Sequence, residues 1–245
     1  MSHPFEITEE IELDATPDEV WDAIATGPGI DSWFFGHSTV EPRLGGRTTF
    51  AMGDDVAAST ITAWEPGKRF AYRTDEGPDG SFMAFESIIE ARAGGSTVLR
   101  FVHSGLLGGD DWEAEYDALR EGDPMYLRKL AAYLATFKGR TAKQSIMLLH
   151  PGVTDSDRAW TAFTQALGGP LTVGTPVRFT ADGSTGVVAF VHEPHWVGVT
   201  TADGMVSLMH ARGSVVVAEY QGFSDERDQQ EIENSLRSWL DSAFA

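Results

Sequence analysis

The sequence predicts an α+β fold in which an antiparallel sheet carries its helices on one face, built once in full and again in shortened form. Three observations predict it. Runs of alternating or continuous apolar residues follow one another across short Gly- and Pro-rich turns, as strands of an antiparallel sheet do. Segments of helical periodicity stand at the two ends of that series rather than between its strands. The whole order then recurs from about residue 144 onwards.

Residues 5–13 alternate apolar and polar side chains, the pattern of a half-buried strand. Thr16, Pro17 and Glu19 follow as N-cap, first helical residue and capping-box partner of a helix. Val20, Trp21 and Ile24 give it an apolar face, and it stops near Gly27, Pro28 and Gly29. Residues 30–35, with Trp33 and Phe34, suit a short second helix or turn. Six strands are expected at 38–42, 47–52, 57–64, 69–74, 81–91 and 97–104. Helical periodicity returns over 110–137, where Met125, Leu127, Leu130, Leu134 and Phe137 form the inner stripe of a long helix ending at Gly139.

In the second half a strand at 144–150 precedes a helix at 156–167 carrying Ala159, Trp160 and Phe163. Strands at 176–181, 186–192, 196–201, 205–211 and 215–220 lead to a last helix over 225–244, with Ile232, Leu236, Trp239 and Leu240 inward. Residues 18–24 (DEVWDAI) align with 157–163 (DRAWTAF), 139 positions on. Residues 64–66 (WEP) align with 192–194 (HEP), 128 on, and 104–106 (SGL) with 221–223 (QGF), 117 on. The falling offset predicts loss of the Trp33 region and trimming of the sheet hairpins. Two domains are expected, 1–140 and 141–245, joined by the polar segment 138–143.

Composition narrows the function classes. Hydrophobic residues make up 42% of the 245, enough for a proper core. With no cysteine there is no disulfide, thiolate metal site or cysteine nucleophile, which fits a reducing cytoplasm. The N-terminus shows no signal-peptide pattern, and no window reaches a membrane span. The net charge of −19 is spread over both halves, so neither nucleic acid nor an anionic membrane surface is an expected partner.

The segments 11–21, Trp33 with Phe34, 44–46 (LGG), 64–66, 94–99 and 103–105 (HSG), with the helix 124–137, together resemble the START-like, or SRPBCC, helix-grip superfamily. The branch they are most similar to is the domain of the activator of heat-shock protein 90 ATPase. The family's usual Gly-Trp opening of the last helix is replaced by Pro124, Met125 and Tyr126, and the second half resembles the family only in outline. The resemblance implies a curved antiparallel sheet around a long C-terminal helix, with a cavity between them. It implies a small apolar ligand of lipid, hormone or polyketide type. Some relatives are aromatase/cyclases and others protect producers of enediyne antibiotics.

On that fold Trp33, Phe34, Phe50, Trp64, Tyr72, Phe82, Phe101, His103, Trp112 and Tyr126 are expected to line the cavity, while Trp21 and Trp160 belong to the cores. The Gly-rich segment 105–116 reads as a lid over the cavity mouth or as an acidic solvated loop. No triad, phosphate loop or dinucleotide fingerprint is present, and neither cofactor nor metal is expected. His192, Glu193, Pro194 and His195 read as a hairpin corner rather than a ligand set. If the hairpin at Gly94 and Gly95 turns between the two glycines, Glu86 faces His103 across the sheet. That pair is a weak acid/base candidate, and otherwise a cross-strand pair at the rim. Arg100 either anchors a ligand carboxylate or reaches solvent. The leading expectation is non-catalytic binding of a hydrophobic or polyaromatic molecule, with the cavity in the first half only. A cyclase or aromatase, and a co-chaperone-like interaction protein, are the alternatives.

Overall fold

In chain order the first half forms β1 (His3–Leu13), α1 (Pro17–Ala25), α2 (Gly27–Ile30), β2 (His37–Val40), β3 (Arg47–Met52), β4 (Asp55–Glu65), β5 (Arg69–Thr74), β6 (Phe82–Ala91), β7 (Thr97–Leu107) and α3 (Trp112–Phe137). The second forms β8 (Gln144–Pro151), α4 (Ser156–Leu167), β9 (Pro176–Arg178), β10 (Thr185–His192), β11 (Trp196–Thr201), β12 (Gly204–Ala211), β13 (Val215–Gly222) and α5 (Gln229–Phe244). These elements come from a computed structural model that describes residues 2–245 and divides into two units, Met1–Gly139 and Arg140–Ala245. Among the described residues no helix is long and apolar enough to cross a membrane.

Local chemistry sets the elements of the first unit. Thr16 caps α1: its hydroxyl accepts from the Glu19 backbone N–H, and the Glu19 carboxylate accepts from the Thr16 N–H at 2.8 Å. The helix buries Val20, Trp21 and Ile24. Its short neighbour α2 is pressed onto β2, because a Cβ at Gly27 would stand 2.4 Å from the Ser38 carbonyl oxygen. Asp31 ties the two together by accepting from the Ser38 N–H at 2.7 Å. Leu130, Leu134 and Phe137 of α3 are fully buried, as the inner stripe requires.

The first sheet has seven strands in the order β1-β7-β6-β5-β4-β3-β2, and the second six in the order β8-β13-β12-β11-β10-β9. In each, the first strand pairs with the last and the remaining hairpins run outward, so the second unit repeats the helix-grip topology without α2 and one edge strand. The registers agree in detail. Phe5 faces Gly105 in the first sheet and Gln144 faces Gly222 in the second, displacements of 139 and 117, as in the aligned segments.

The middle match shifts by one. Thr62 has no partner between the pairs Ile61–Tyr72 and Ala63–Ala71, and Ala189 has none between Val188–Val199 and Phe190–Gly198. Both sheets thus carry a β-bulge at the same place, 127 positions apart, and the Glu-Pro dipeptides of the two copies are not equivalent.

Two further expectations are corrected, over residues 105–116 and at the β6–β7 hairpin. Residues 105–116 form neither lid nor loop: Gly105–Leu107 completes β7 opposite β1, and Trp112 already begins α3, leaving four connecting residues. From there α3 runs through Pro124 as one helix of 26 residues, as the periodicity over 110–137 predicts. The β6–β7 hairpin closes with the Arg92 N–H donating to the Ser96 carbonyl, a three-residue loop centred on Gly94, and every cross-strand pair moves by one. Phe85, not Glu86, therefore faces His103.

Candidate functional site

Between the sheet and the helices of the first unit lies a cavity of about 300 Å³, at the lower end of the range for small-molecule sites. Its sheet wall is made by Phe70 and Tyr72 of β5, Met83, Phe85 and Ser87 of β6, and Leu99, Phe101 and His103 of β7. Ile24 of α1 and Ile30 of α2 close one side, with Trp33 and Phe34 from the turn that follows. Leu119, Asp123, Tyr126, Leu127 and Leu130 of α3 form the roof. The corrected register explains the sheet wall, since alternation about the Phe85–His103 pair brings Met83, Phe85, Ser87, Leu99, Phe101 and His103 to one face.

The aromatic residues are ordered by one another. The Trp33 indole N–H donates to the Ala23 carbonyl at 2.9 Å, and Phe34 packs edge-on to Tyr126 with ring centres 4.8 Å apart. Tyr72 stacks on Phe85 at 4.9 Å, and Phe85 on His103 at 4.2 Å, a ladder of rings across three adjacent strands. Burial, and secondarily the charge of Asp123, pushes the Tyr72 hydroxyl above the usual phenol range, so it stays neutral.

The polar end of the cavity is a buried pair. His103 Nδ1 lies 2.9 Å from an Asp123 carboxylate oxygen, with the two side chains 3% and 13% exposed. A carboxylate only accepts, so Nδ1 carries the hydrogen. The opposite ring nitrogen, Nε2, is buried and meets no hydrogen-bonding partner among the described residues.

Six of the ten expected lining residues are in place: Trp33, Phe34, Tyr72, Phe101, His103 and Tyr126. Four are not. Phe50 backs Phe34 and Phe35 from behind, with ring centres 5.6 and 5.4 Å away. Trp64 points inward but packs on Trp21 and Phe70, below the cavity floor. Phe82 is on the outer face, under the Arg73 guanidinium at 3.8 Å. Trp112 stacks on His3 beside the small cluster of Phe5, Ile7 and Leu107. The candidate acid/base pair of Glu86 and His103 does not exist, because Glu86 projects from the opposite face and binds Arg69. Arg100, on that outer face too, is exposed to solvent. Among the described residues no group of three or more His, Asp or Glu is placed to hold a metal ion.

In the second unit the registers place Val206, Ala218 and Tyr220 where the first has Phe85, Phe101 and His103. All three belong to one buried cluster with Phe163 of α4 and Ile232, Leu236 and Leu240 of α5.

Residues 14–135 match the family described as activator of Hsp90 ATPase homolog 1-like protein, a span that runs from the end of β1 almost to the end of α3. The first unit belongs to this family. As in the START-like superfamily, the AHSA1-like unit wraps a sheet around its last helix. A comparison with curated protein sequences gave no match. Among solved structures, the chain is similar to protein MLL2253 from Mesorhizobium loti, with 21% identity and a TM-score of 0.48 over 55% of this chain and 99% of that one. It is also similar to BexL, a di-domain ARO/CYC from the BE-7585A biosynthetic pathway, with 15% identity and a TM-score of 0.49 over 97% of this chain and 94% of that one. DynU16, from the dynemicin biosynthetic locus, gives 21% identity and a TM-score of 0.44 over 97% and 95%.

Proposed function

We propose that the AHSA1-like unit binds a small, ring-containing apolar molecule in the cavity beneath α3 and releases it unchanged. The observation that carries this reading is the lining itself. A space of about 300 Å³ is walled almost wholly by apolar side chains and aromatic faces, with one buried polar pair at its end. Protein interiors close such spaces unless something else fills them, because an unfilled void forfeits dispersion contacts. Flat rings presented by Tyr72, Phe85, Phe101 and Trp33 favour a planar ligand.

Equilibrium dialysis of the full chain against naphthalene tests the reading. Saturable binding of one molecule per chain is expected. Ser87→Trp, which places an indole in the space opposite α3, should abolish it while leaving the circular dichroism spectrum unchanged. The proposal fails if the wild-type protein takes up naphthalene only in proportion to its free concentration, or if a folded Ser87→Trp protein binds as well as wild type.

A further inference from the structure

Two hydroxyl groups stand in the largely apolar wall of the cavity without partners. Ser87 of β6 and Tyr72 of β5 both line the space. The ladder makes them diagonal neighbours, since Ser87 pairs with Phe70 and Tyr72 with Phe85, and all four side chains share the cavity face. Ser87 is only 9% exposed and lies between Phe70 and Phe101 of the flanking strands. Among the described residues neither the Ser87 nor the Tyr72 hydroxyl makes a hydrogen bond. Buried polar groups ordinarily find partners, and one left without costs stability. Alanine and phenylalanine would occupy these two positions with nearly the same shape and no such cost. The cost is recovered when a molecule in the cavity completes the bonds.

Both groups keep their hydrogen at neutral pH. A serine hydroxyl does not titrate in this range, and burial holds the Tyr72 phenol above its ordinary value. The His103–Asp123 pair at the end of the cavity is a separate matter, because those two side chains bond to each other. What the sheet wall offers an occupant is therefore a pair of O–H donors set among ring faces. A carbonyl oxygen answers such donors, with two lone pairs and no hydrogen of its own. Conjugation with an aromatic ring keeps that oxygen in the ring plane, so the molecule stays flat enough to lie against Phe85 and Phe101.

We infer that the cavity selects a flat ring system carrying a carbonyl oxygen, an aromatic ketone, and that Ser87 and Tyr72 are the residues that recognise this oxygen. This rests on the binding function proposed above and names the class of molecule bound and the groups that set it. A hydrocarbon of the same outline gains the apolar contacts alone and leaves both hydroxyls unsatisfied.

The ligands 2-acetonaphthone and 2-isopropenylnaphthalene share one outline and differ in C=O against C=CH2. Each is brought to equilibrium by dialysis with the full wild-type chain and with the double variant Ser87→Ala, Tyr72→Phe, which lacks both hydroxyls and keeps the rings. The affinity of the ketone relative to the alkene should fall at least about fivefold in the variant, the worth of one net hydrogen bond. A ratio unchanged by the double substitution, or binding of the alkene alone to the wild-type protein, would overturn the inference while leaving apolar binding intact. Binding of neither ligand to the wild-type protein would instead overturn the binding function, and this inference with it. A second measurement needs no variant, so misfolding of the double variant leaves the inference testable. The infrared carbonyl band of the ketone bound to the wild-type chain should lie below its position in hexane, because an accepted hydrogen bond weakens the C=O bond. A band at the hexane position would refute recognition of the oxygen.

Discussion

Leu130 and Leu134 lie one turn apart on α3, and neither exposes any surface to solvent. Their environments differ in one respect, which makes truncation to alanine informative. Leu134 is enclosed by core, so Leu134→Ala opens a new void; such substitutions cost roughly 3–5 kcal/mol, the transfer term and the cavity term both contributing. Leu130 forms part of the wall of the existing cavity. One side of its side chain already lacks close neighbours, so Leu130→Ala enlarges a space instead of creating one and loses fewer contacts, about 2–3 kcal/mol. Because 1.4 kcal/mol is a factor of ten, the slowest-exchanging backbone amides of α3 should exchange about 30- to 150-fold faster in Leu130→Ala. In Leu134→Ala the same amides should accelerate by more than about two decades. Hydrogen exchange read by mass spectrometry on the full chain measures both. Equal acceleration in the two variants, or the larger effect at Leu130, would mean that protein surrounds Leu130 on all sides and that the cavity reasoning is wrong.

Two other outcomes are expected. Ala218, at the place of Phe101, is wholly buried under α5, so Ala218→Phe should destabilise by about 1–3 kcal/mol through overpacking; urea unfolding that shows no loss would reveal free space under β13. The Glu19 carboxyl is held below its ordinary value chiefly by the backbone hydrogen bond from Thr16. A depressed carboxylate stabilises the fold above its unfolded pKa, and that contribution disappears as pH falls through its folded value. Glu19→Gln should therefore remove part of the loss of stability on acidification, seen as a shallower fall of melting temperature below pH about 4.5, and a slope unchanged from wild type would refute the link.

Much of this architecture could be read before any coordinates. The capping box at Thr16, the stripe from Met125 to Phe137 and the offsets of 139 and 117 all reappear in caps, burial and register. These features are local, or repeat at fixed periods, and so leave a trace in sequence. What failed depends on counting one residue more or less. A two-residue turn at Gly94 pairs Glu86 with His103, whereas the three-residue loop that forms turns Glu86 to the outer face. Phe50 and Trp64 were placed in the right half of the layer but one residue too near the cavity, because alternation reports the face and not the depth. Asp123 was missed although a signal existed. It continues the spacing of Leu127, Leu130 and Leu134 back by one turn, so a carboxylate stands on the stripe that should be apolar.

The shared bulge has a consequence for how the two copies tolerate insertion and deletion. Trp64 lies three residues beyond Ile61, yet both point inward, because Thr62 is skipped in the pairing. Val191 stands in the same relation to Val188 across Ala189, and both meet the second core. Along most of a strand, gain or loss of one residue inverts every side chain beyond it. Thr62 and Ala189 are each the one extra residue of the pairing, so excising either restores regular pairing and leaves Trp64 opposite Phe70 and Val191 opposite Val197, both still inward. A deletion at either bulge would thereby make the hydrogen-bond ladder more regular and keep the aromatic prop under one core and the aliphatic one under the other, whereas a deletion within the regular part of either strand would turn them out. Substitution at either position leaves the count, and hence the inward aim of its neighbour, untouched.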